Sequence, residues 1–332
     1  MNGLDFSQLQ SIASPKDFET AAFETFAFQY ENNPVYRAYC DLINRHPGII
    51  ATTADLPFLP ISLFKTHRIL CDDKTVVDTF RSSGTTGQTP SQHFISDLSL
   101  YENSYLTHFQ TLYGSPKEWV ILALLPSYLE RNDSSLVAMV EGLIRNSEQP
   151  ESGFYLDDFD ALSAQLQQLE SRGQKTLLIG VSFALLDFAA HYPQSLKHTV
   201  IMETGGMKGR KKELVRSELH QTLSRALGVA SIHSEYGMTE LLSQAYAKKE
   251  GQFVSPPWMK VFIRDTTDPF ATVGWGQTGG INIIDLANQN SCAFIATQDL
   301  GKKINEDLFE VLGRFDSAEI RGCNLMAGPA AI

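Results

Sequence analysis

Short apolar runs alternate with helix-like segments through the middle of this chain, and that alternation constrains its fold more than any other feature. The runs typical of buried strands are residues 120–124, 176–180, 199–202 and 231–233. The segments with the apolar periodicity of helices are residues 134–145, 157–171, 183–191 and 211–227. Strands that alternate with helices pair into largely parallel sheets. The sequence therefore predicts an α/β domain built from βαβ units.

The two ends of the chain show other patterns. Near the start, Ser14 before Pro15 is typical of a helix N-terminus, and apolar residues then recur every four positions. After residue 250, apolar runs are separated by Gly, Asn and Asp, which indicates strands. We therefore expect a mostly helical region at 1–75, packed on a main domain at 76–313 that ends in a β-rich part. Residues 314–332 are too few for another domain.

Composition and charge argue against several classes of protein. The 332 residues include 27 Lys and Arg against 38 Asp and Glu, and the net charge of −11 disfavours a nucleic-acid or anionic-membrane binder. The four cysteines are too widely spaced for a zinc ribbon or a CxxC redox motif. The N-terminus is polar, and no apolar run reaches the roughly 20 residues of a membrane span. We therefore expect a cytoplasmic protein with neither a nucleic-acid partner nor a membrane span.

A loop rich in glycine and hydroxyl groups, Ser-Ser-Gly-Thr-Thr-Gly at residues 82–87, follows an apolar-leaning segment. Glycine permits a close approach of the backbone to a ligand. Backbone N–H groups and hydroxyls together make a neutral cradle for phosphate oxygens. The alternative interpretation is an ordinary Ser/Gly turn in a hairpin.

A second segment, Glu-Tyr-Gly-Met-Thr-Glu at residues 235–240, comes directly after a predicted strand. Tyr236 offers an aromatic face to a base, and Thr239 offers a hydroxyl to a phosphate. Glu240 supplies the hard oxygen that Mg²⁺ prefers. The alternative is a strand end, a glycine turn and an exposed helix start.

Together the two segments resemble the adenylate-forming superfamily of acyl and aryl ligases, in which a loop of this kind precedes a YGMTE segment. Residues 297–301 (Thr-Gln-Asp-Leu-Gly) look like the superfamily's ribose-binding Asp segment, and residues 313–316 (Gly-Arg-Phe-Asp) look like its hinge. The motifs stand in the expected order. The resemblance implies the large N-terminal domain of that enzyme fold, with mostly parallel sheets and helices followed by a β-rich portion.

A narrower resemblance is to the acyl-protein synthetase of bacterial fatty acid reductase systems (LuxE type). It is carried by residues 57–65, 124–131 (Leu-Leu-Pro-Ser-Tyr-Leu-Glu-Arg), 203–210 (Glu-Thr-Gly-Gly-Met-Lys-Gly-Arg) and 321–325 (Arg-Gly-Cys-Asn-Leu). This resemblance implies that ATP and a fatty acid give an acyl-adenylate and pyrophosphate. The acyl group then moves to a cysteine of the enzyme.

The resemblance also implies roles for individual residues, with ATP and Mg²⁺ as cofactors. The residues implied to bind the nucleotide are Ser83, Gly84, Thr85, Thr86, Gly87, Gly205, Gly206, Glu235, Tyr236, Gly237, Thr239, Asp299 and Arg314. Tyr236 would stack on adenine, Thr239 would bond the α-phosphate, and Glu240 would hold the metal. Asp299 would take the ribose hydroxyls, with Arg314 nearby. The two glycines at 205 and 206, with the strand end at residues 180–183, would border the acyl pocket and the adenine.

The chain departs from the superfamily at two places. The Pro-Lys that follows the phosphate loop in most members is replaced by Thr89 and Pro90. Most members also have a C-terminal domain with a catalytic lysine, and we expect that domain to be lacking here. A cation must still stabilise charge on the transferring phosphoryl oxygens. Lys208 and Arg210 are candidates, and the alternative for them is a solvated basic turn.

Cys323 is the candidate acyl acceptor that the resemblance implies. A thiolate is a natural nucleophile for a mixed anhydride such as an acyl-adenylate. The residue lies in a short tail beyond the expected hinge, and Arg321 nearby would favour the thiolate. The alternative is an incidental tail cysteine.

Three functions remain open from the sequence. The first is an acyl-protein synthetase that works beside an acyl-accepting reductase or acyltransferase. The second keeps adenylation but delivers the acyl group to coenzyme A or a carrier protein. The third is a catalytically silent nucleotide-binding subunit of a complex.

Overall fold

The computed structural model describes residues 3–72, 74–83, 89–126, 133–205 and 214–315. Its α-helices are α1 (Phe6–Gln10), α2 (Pro15–Asn32), α3 (Pro34–Leu42), α4 (Leu98–Tyr113), α5 (Ser135–Ser147), α6 (Phe159–Ser171), α7 (Ser182–His191) and α8 (Arg216–Leu227). Its strands are β1 (Leu59–Pro60), β2 (Asp78–Arg81), β3 (Gln92–Ile95), β4 (Val120–Leu124), β5 (Gly153–Phe154), β6 (Thr176–Val181), β7 (Thr199–Thr204), β8 (Ile232–Tyr236), β9 (Ala245–Ala247), β10 (Gln252–Val254), β11 (Met259–Arg264), β12 (Thr278–Asp285), β13 (Phe294–Lys303) and β14 (Leu308–Arg314).

Twelve strands form one large sheet in the order β11-β12-β13-β14-β10-β9-β8-β7-β6-β4-β5, with β1 beside β13. Strands β5, β4, β6, β7 and β8 run parallel to one another. From β8 through β9, β10, β14, β13, β12 and β11, every neighbouring pair is antiparallel. The predicted α/β domain, parallel first and β-rich afterwards, is therefore confirmed.

The parallel strands are buried because both of their faces are covered. All five residues of β4 are buried, as a strand in the centre of a parallel sheet requires. Val120, Leu122 and Leu124 pack in one apolar cluster with residues of α6, α7 and α8. Ile121 and Ala123 point to the opposite face and pack in the larger cluster, which includes residues of α2, α4 and α5.

Several boundaries differ from the sequence prediction. Strand β8, predicted at residues 231–233, extends to Tyr236, so Glu235 and Tyr236 are strand residues rather than the turn that follows a strand. Thr239 and Glu240 lie in a turn, not at the start of an exposed helix. The predicted helix at 211–227 begins at Arg216, because Val215 before it is extended, with φ −64° and ψ 146°.

The predicted helix after Ser14 is confirmed. The Ser14 side chain accepts a hydrogen bond from the backbone N–H of Asp17, and Pro15 occupies the first helical position. Helices α1 to α3 lie within residues 1–75, but the proposed division at 75 and 313 stays a prediction. Among the described residues, no helix is long and apolar enough to cross a membrane.

Candidate active site

The carboxyl ends of β6, β7 and β8 meet at one edge of the sheet and bring three predicted segments together. Thr204 is the register partner of Val181 on one side and of Glu235 on the other. Gly205 directly follows β7, and Tyr236 ends β8. Ligands of open α/β sheets bind outside the carboxyl ends of the strands. The geometry therefore places Gly205, Glu235 and Tyr236 where a ligand of this fold class binds.

Gly205 is held by a polar network that the sequence did not predict. Its φ of +69° is a conformation that favours glycine. The Ser182 hydroxyl lies 2.8 Å from the Gly205 carbonyl oxygen and 3.2 Å from Glu203 Oε2. Ser182 and Glu203 are both buried. The backbone at Gly205 is therefore fixed by side chains from the ends of two neighbouring strands.

Glu203 is a buried carboxylate with a cationic partner. Its Oε1 lies 3.3 Å from Arg216 Nε and 3.5 Å from His220 Nε2. Burial opposes ionisation, but the His220 hydrogen bond and the Arg216 charge outweigh it and hold the pKa of Glu203 below its usual value. Arg216 also donates to the Val311 carbonyl at 2.5 Å, which links the end of β7 to β14.

Glu235 is a buried carboxyl group in the opposite electrostatic state. Its pKa is about 7. Burial is the main cause of this raised value, the Thr204 hydrogen bond lowers the pKa, and the charge of Glu203 raises it. A Cβ at Gly237 would lie 2.5 Å from Glu235 Oε1. The absence of a side chain at Gly237 is therefore what lets the Glu235 carboxyl occupy this place.

Tyr236, Asp299 and Arg314 form a connected group, as the resemblance implied for the last two. The Tyr236 hydroxyl donates to Asp299 Oδ2 at 2.8 Å, and Arg314 Nε lies 3.5 Å from Asp299 Oδ1. Asp299 and Arg314 are register partners on β13 and β14. Burial and the nearby Asp299 carboxylate raise the pKa of Tyr236 well above its usual value. The side chain of Arg314 is 67% exposed, so its guanidinium can reach a ligand that approaches Asp299.

Thr239 and Glu240 are seated on the hairpin formed by β2 and β3. His93 Nδ1 lies 2.8 Å from the Thr239 carbonyl, and its Nε2 lies 2.9 Å from Asn288 Oδ1. Ser91 lies close enough to the Glu240 carboxyl group to act on its pKa. At the base of the hairpin loop, the Ser82 hydroxyl accepts from the Ser91 N–H at 2.9 Å. Ser82, at the start of the loop, is thus bonded to the hairpin strand that holds the 239–240 turn.

Glu240 fits a magnesium ion carried by a nucleotide. The residue is buried, and burial raises the pKa of its carboxyl group, while Ser91 and the charge of Arg314 act in the other direction. Mg²⁺ in nucleotide sites is held by one or two carboxylates together with phosphate oxygens and waters. No group of three His, Cys, Asp or Glu side chains suited to a metal occurs in the part of the chain that the structure describes. A single carboxylate therefore fits a phosphate-bound ion rather than a cation caged by protein.

Several predicted site residues lie outside the described residues. They are Gly84, Thr85, Thr86, Gly87, Gly206, Lys208, Arg210 and Cys323. Ser83, which is described, is exposed at the start of the loop. The other three cysteines, Cys40, Cys71 and Cys292, are buried, and burial raises the pKa of Cys40 to about 12.

Sequence reasoning assigned no role of its own to Glu203 or Ser182, although each lies in a segment that it singled out, and it missed His93 altogether. Glu203 carries a signal in hindsight, because an ionisable residue ends the otherwise apolar run that forms β7. Buried charges are rare unless they are paired. No comparable signal marks His93, whose partners are 146 and 195 residues away in the chain.

The comparison with solved structures shows which known proteins share this fold. ATP-bound MatB from Rhodopseudomonas palustris aligns with a TM-score of 0.54 and 18% identity, over 77% of this chain and 54% of that one. An open conformation of 2-hydroxyisobutyryl-CoA ligase, in complex with 2-HIB-AMP and CoA, aligns with a TM-score of 0.65 and 13% identity, over 93% of this chain and 72% of that one. The chain thus spans about half the length of MatB. Its fold is that of the adenylate-forming ligases.

Part of the chain also matches a protein family in sequence. Residues 7–105 match the family described as acyl-protein synthetase, LuxE. The LuxE-type recognition made from the sequence is therefore confirmed, on a segment that includes residues 57–65 and the 82–87 loop. No curated protein matches the chain in sequence.

Proposed function

We propose that this protein uses ATP to activate a carboxylic acid as an acyl-adenylate and then transfers the acyl group to its own Cys323 thiol. The observation that carries the first step is the group formed by Tyr236, Asp299 and Arg314 at the edge where Gly205 and Glu235 also lie. A buried aromatic residue, a carboxylate and an exposed guanidinium at one edge suit a base, ribose hydroxyls and a phosphate. The match to the LuxE family and the ligase fold support the same reaction.

In the adenylation step, a carboxylate oxygen of the acid attacks the α-phosphorus of ATP, and the bond to the β-phosphate oxygen breaks, releasing pyrophosphate. We assign the ribose hydroxyls to Asp299 and the α-phosphate to Thr239. We assign the departing phosphates to the loop at 83–87, and the bond of Ser82 to the hairpin that contacts Thr239 supports this assignment. Lys208 and Arg210 are candidates for the cation that the transition state requires.

Mg²⁺ would be held by the Glu240 carboxylate and, when bound, would neutralise part of the phosphate charge. Binding the ion requires the ionised form of Glu240. Burial disfavours that form, and Ser91 and the Arg314 charge favour it. Glu240 is therefore placed to accept a cation that arrives with the nucleotide.

In the second step, the Cys323 thiolate attacks the acyl carbonyl carbon. A C–S bond forms, the C–O bond of the mixed anhydride breaks, and AMP leaves. A thioester keeps the carbonyl activated for later transfer. The buried positions of Cys40, Cys71 and Cys292 disfavour them as acceptors, which supports Cys323. We further propose that the acid is a fatty acid and that a reductase or acyltransferase subunit collects the acyl group in the cytoplasm.

The test is intact mass after incubation with Mg-ATP and a panel of fatty acids, for wild type, Cys323→Ser and the matched variant Cys71→Ala. We expect an acyl-sized increment that neutral hydroxylamine removes, present in wild type and Cys71→Ala and absent in Cys323→Ser. Pyrophosphate release without any increment would instead favour coenzyme A or a carrier protein as the acceptor. ATP binding with neither product would favour a silent nucleotide-binding subunit.

A further inference from the structure

A partly buried arginine connects the strand that carries Asp299 to its neighbour β12. Arg264, the last residue of β11, donates from Nη1 to the Ile281 carbonyl at 2.8 Å and to Asn282 Oδ1 at 2.7 Å. Its Nη2 donates to the Thr297 carbonyl at 2.5 Å. One guanidinium therefore bonds to two neighbouring strands, β12 and β13. This use of a planar fork of donors is open to arginine and not to lysine.

Thr297, which accepts a hydrogen bond from Arg264, is itself hydrogen-bonded to Asp299. The Thr297 hydroxyl donates to the Ile281 carbonyl at 2.8 Å and accepts from the Asp299 N–H at 3.1 Å. The position of the Asp299 backbone therefore depends on Thr297, which Arg264 holds at its carbonyl.

Arg264 also contacts the segment on the other side of the pair. Its guanidinium carbon lies 5.4 Å from the centre of the Phe315 ring, within range of a cation–π interaction. Phe315 follows Arg314 in the chain and donates its N–H to the Gln298 carbonyl at 2.7 Å. The guanidinium of Arg264 thus contacts Thr297, two residues before Asp299, and Phe315, the residue after Arg314.

The neighbouring strand is built to leave room for this side chain. A Cβ at Gly280 would lie 2.4 Å from Arg264 Cζ, and a Cβ at Gly279 would lie 2.1 Å from the Arg264 carbonyl oxygen. The register of β12 against β13 shifts between Gly280 and Asn282. Two adjacent glycines and a strand irregularity thus provide the space that the Arg264 guanidinium occupies.

We propose that Arg264 is a positioning residue for nucleotide binding: it fixes Asp299 and Arg314 in the geometry that receives the ribose. This inference rests on the proposed function, because it takes the ribose hydroxyls as the ligand of Asp299. Arg264 acts through Thr297 and Phe315 and does not itself contact the nucleotide.

The experiment compares the affinities of ATP and 2′,3′-dideoxy-ATP, measured by isothermal titration calorimetry. The variants are Arg264→Lys, which keeps the charge and loses the fork, and Gly280→Ala, which displaces the guanidinium and keeps the arginine. The controls are Arg172→Lys at an exposed ion pair with Glu151, and Gly274→Ala, where a Cβ would have a single neighbour at 3.9 Å.

We expect wild type and both controls to bind ATP more tightly than the dideoxy nucleotide. Arg264→Lys and Gly280→Ala should weaken ATP binding about tenfold, the loss of a hydrogen bond to a charged group, and leave dideoxy-ATP nearly unchanged. A purely structural role for Arg264 would weaken both nucleotides equally, and this result, or unchanged ATP affinity, would overturn the inference. Wild type that binds ATP but exchanges no pyrophosphate with any acid would contradict the proposed function, while the affinity comparison would still decide the role of Arg264.

Discussion

At the scale of single residues, the candidate site contains two buried glutamates in opposite states. Glu203 is paired with Arg216 and His220 and stays ionised. Glu235, one strand away, accepts from the Thr204 hydroxyl, and burial raises its pKa to about 7. Glu203 holds the Ser182 hydroxyl that bonds to Gly205. Glu235 carries less negative charge at neutral pH than an exposed glutamate, because its pKa is about 7.

The raised pKa of Glu235 predicts a pH dependence of stability. Below the unfolded pKa, near 4.5, both states hold the proton and the group costs nothing. Between 4.5 and about 7 the unfolded chain releases the proton while the folded protein keeps it, so the free energy of unfolding falls as pH rises. Over that window wild type should lose on the order of 3 kcal/mol relative to Glu235→Gln.

Urea denaturation of both proteins at pH 4.5, 6 and 8 measures this difference. Glutamine keeps an oxygen that accepts from Thr204 but has no proton to release. Other buried groups with shifted pKa values, such as Asp285 and His93, are common to both proteins and cancel in the comparison. A difference that stays constant across the three pH values would show that folding does not raise the pKa of Glu235.

Part of the site could be predicted at this scale, and part could not. Tyr236, Asp299 and Arg314 were predicted because each lies in a short motif, and the structure brings the three together. Their roles toward a nucleotide stay predictions. Arg264 was not predicted, because an arginine at the end of an amphipathic strand usually extends into water. Its burial depends on Gly280 and Thr297, which reach it only through strand pairing.

At the scale of elements, the β2–β3 hairpin shows why both interpretations of the 82–87 loop have merit. The loop does connect two antiparallel strands, as an ordinary Ser/Gly turn would. The hairpin strand β3 is also fixed against the 239–240 turn by His93. The phosphate-binding role of the loop stays a prediction, and this attachment is what makes it testable. Periodicity could not predict this attachment, since it depends on side chains far apart in sequence.

His93→Leu tests the attachment of the hairpin. Burial lowers the pKa of His93 to about 4, so its ring is neutral and donates one hydrogen bond, either to the Thr239 carbonyl or to the Asn288 amide oxygen. Leucine fills much of the space but leaves that buried oxygen without its donor, at a cost of about 1–3 kcal/mol. We expect a lower melting temperature and a KM for ATP raised several-fold. The control is His191→Leu, at the exposed end of α7. An unchanged KM in a less stable protein would mean that the hairpin is a structural element only.

At the scale of the whole molecule, the N-terminal helices are part of one core rather than an appendage. Phe18, Phe26 and Tyr36 pack in the same apolar cluster as Phe294 of β13, and the Tyr36 and Phe294 rings stack with centres 5.7 Å apart. The family match at 7–105 covers these helices, while the nucleotide motifs lie mostly beyond it. The sequence predicted helices here from their caps and spacing, but not that they hold the segment between β12 and β13.

Gln29 of α2 bonds to the segment between β12 and β13, so replacing it tests whether the N-terminal helices and the sheet form one core. Its buried amide donates to the carbonyls of Asn288, Gln289 and Ser291 at 2.8 to 3.2 Å and accepts from the Ala293 N–H at 3.1 Å. Replacing it with leucine removes every partner at once and leaves buried carbonyls unpaired, so Gln29→Leu should lower the free energy of unfolding by about 2–4 kcal/mol. Urea denaturation followed by both tryptophan fluorescence and far-UV circular dichroism measures this, with Gln167→Leu on the exposed face of α6 as the control. If the two transitions coincide and shift together, the helices and the sheet form one cooperative unit. Loosening α2 would then also destabilise the sheet that carries Tyr236 and Asp299. If instead only the circular dichroism transition moved, the helices would unfold separately from the sheet, and residues 1–75 would be a domain in their own right.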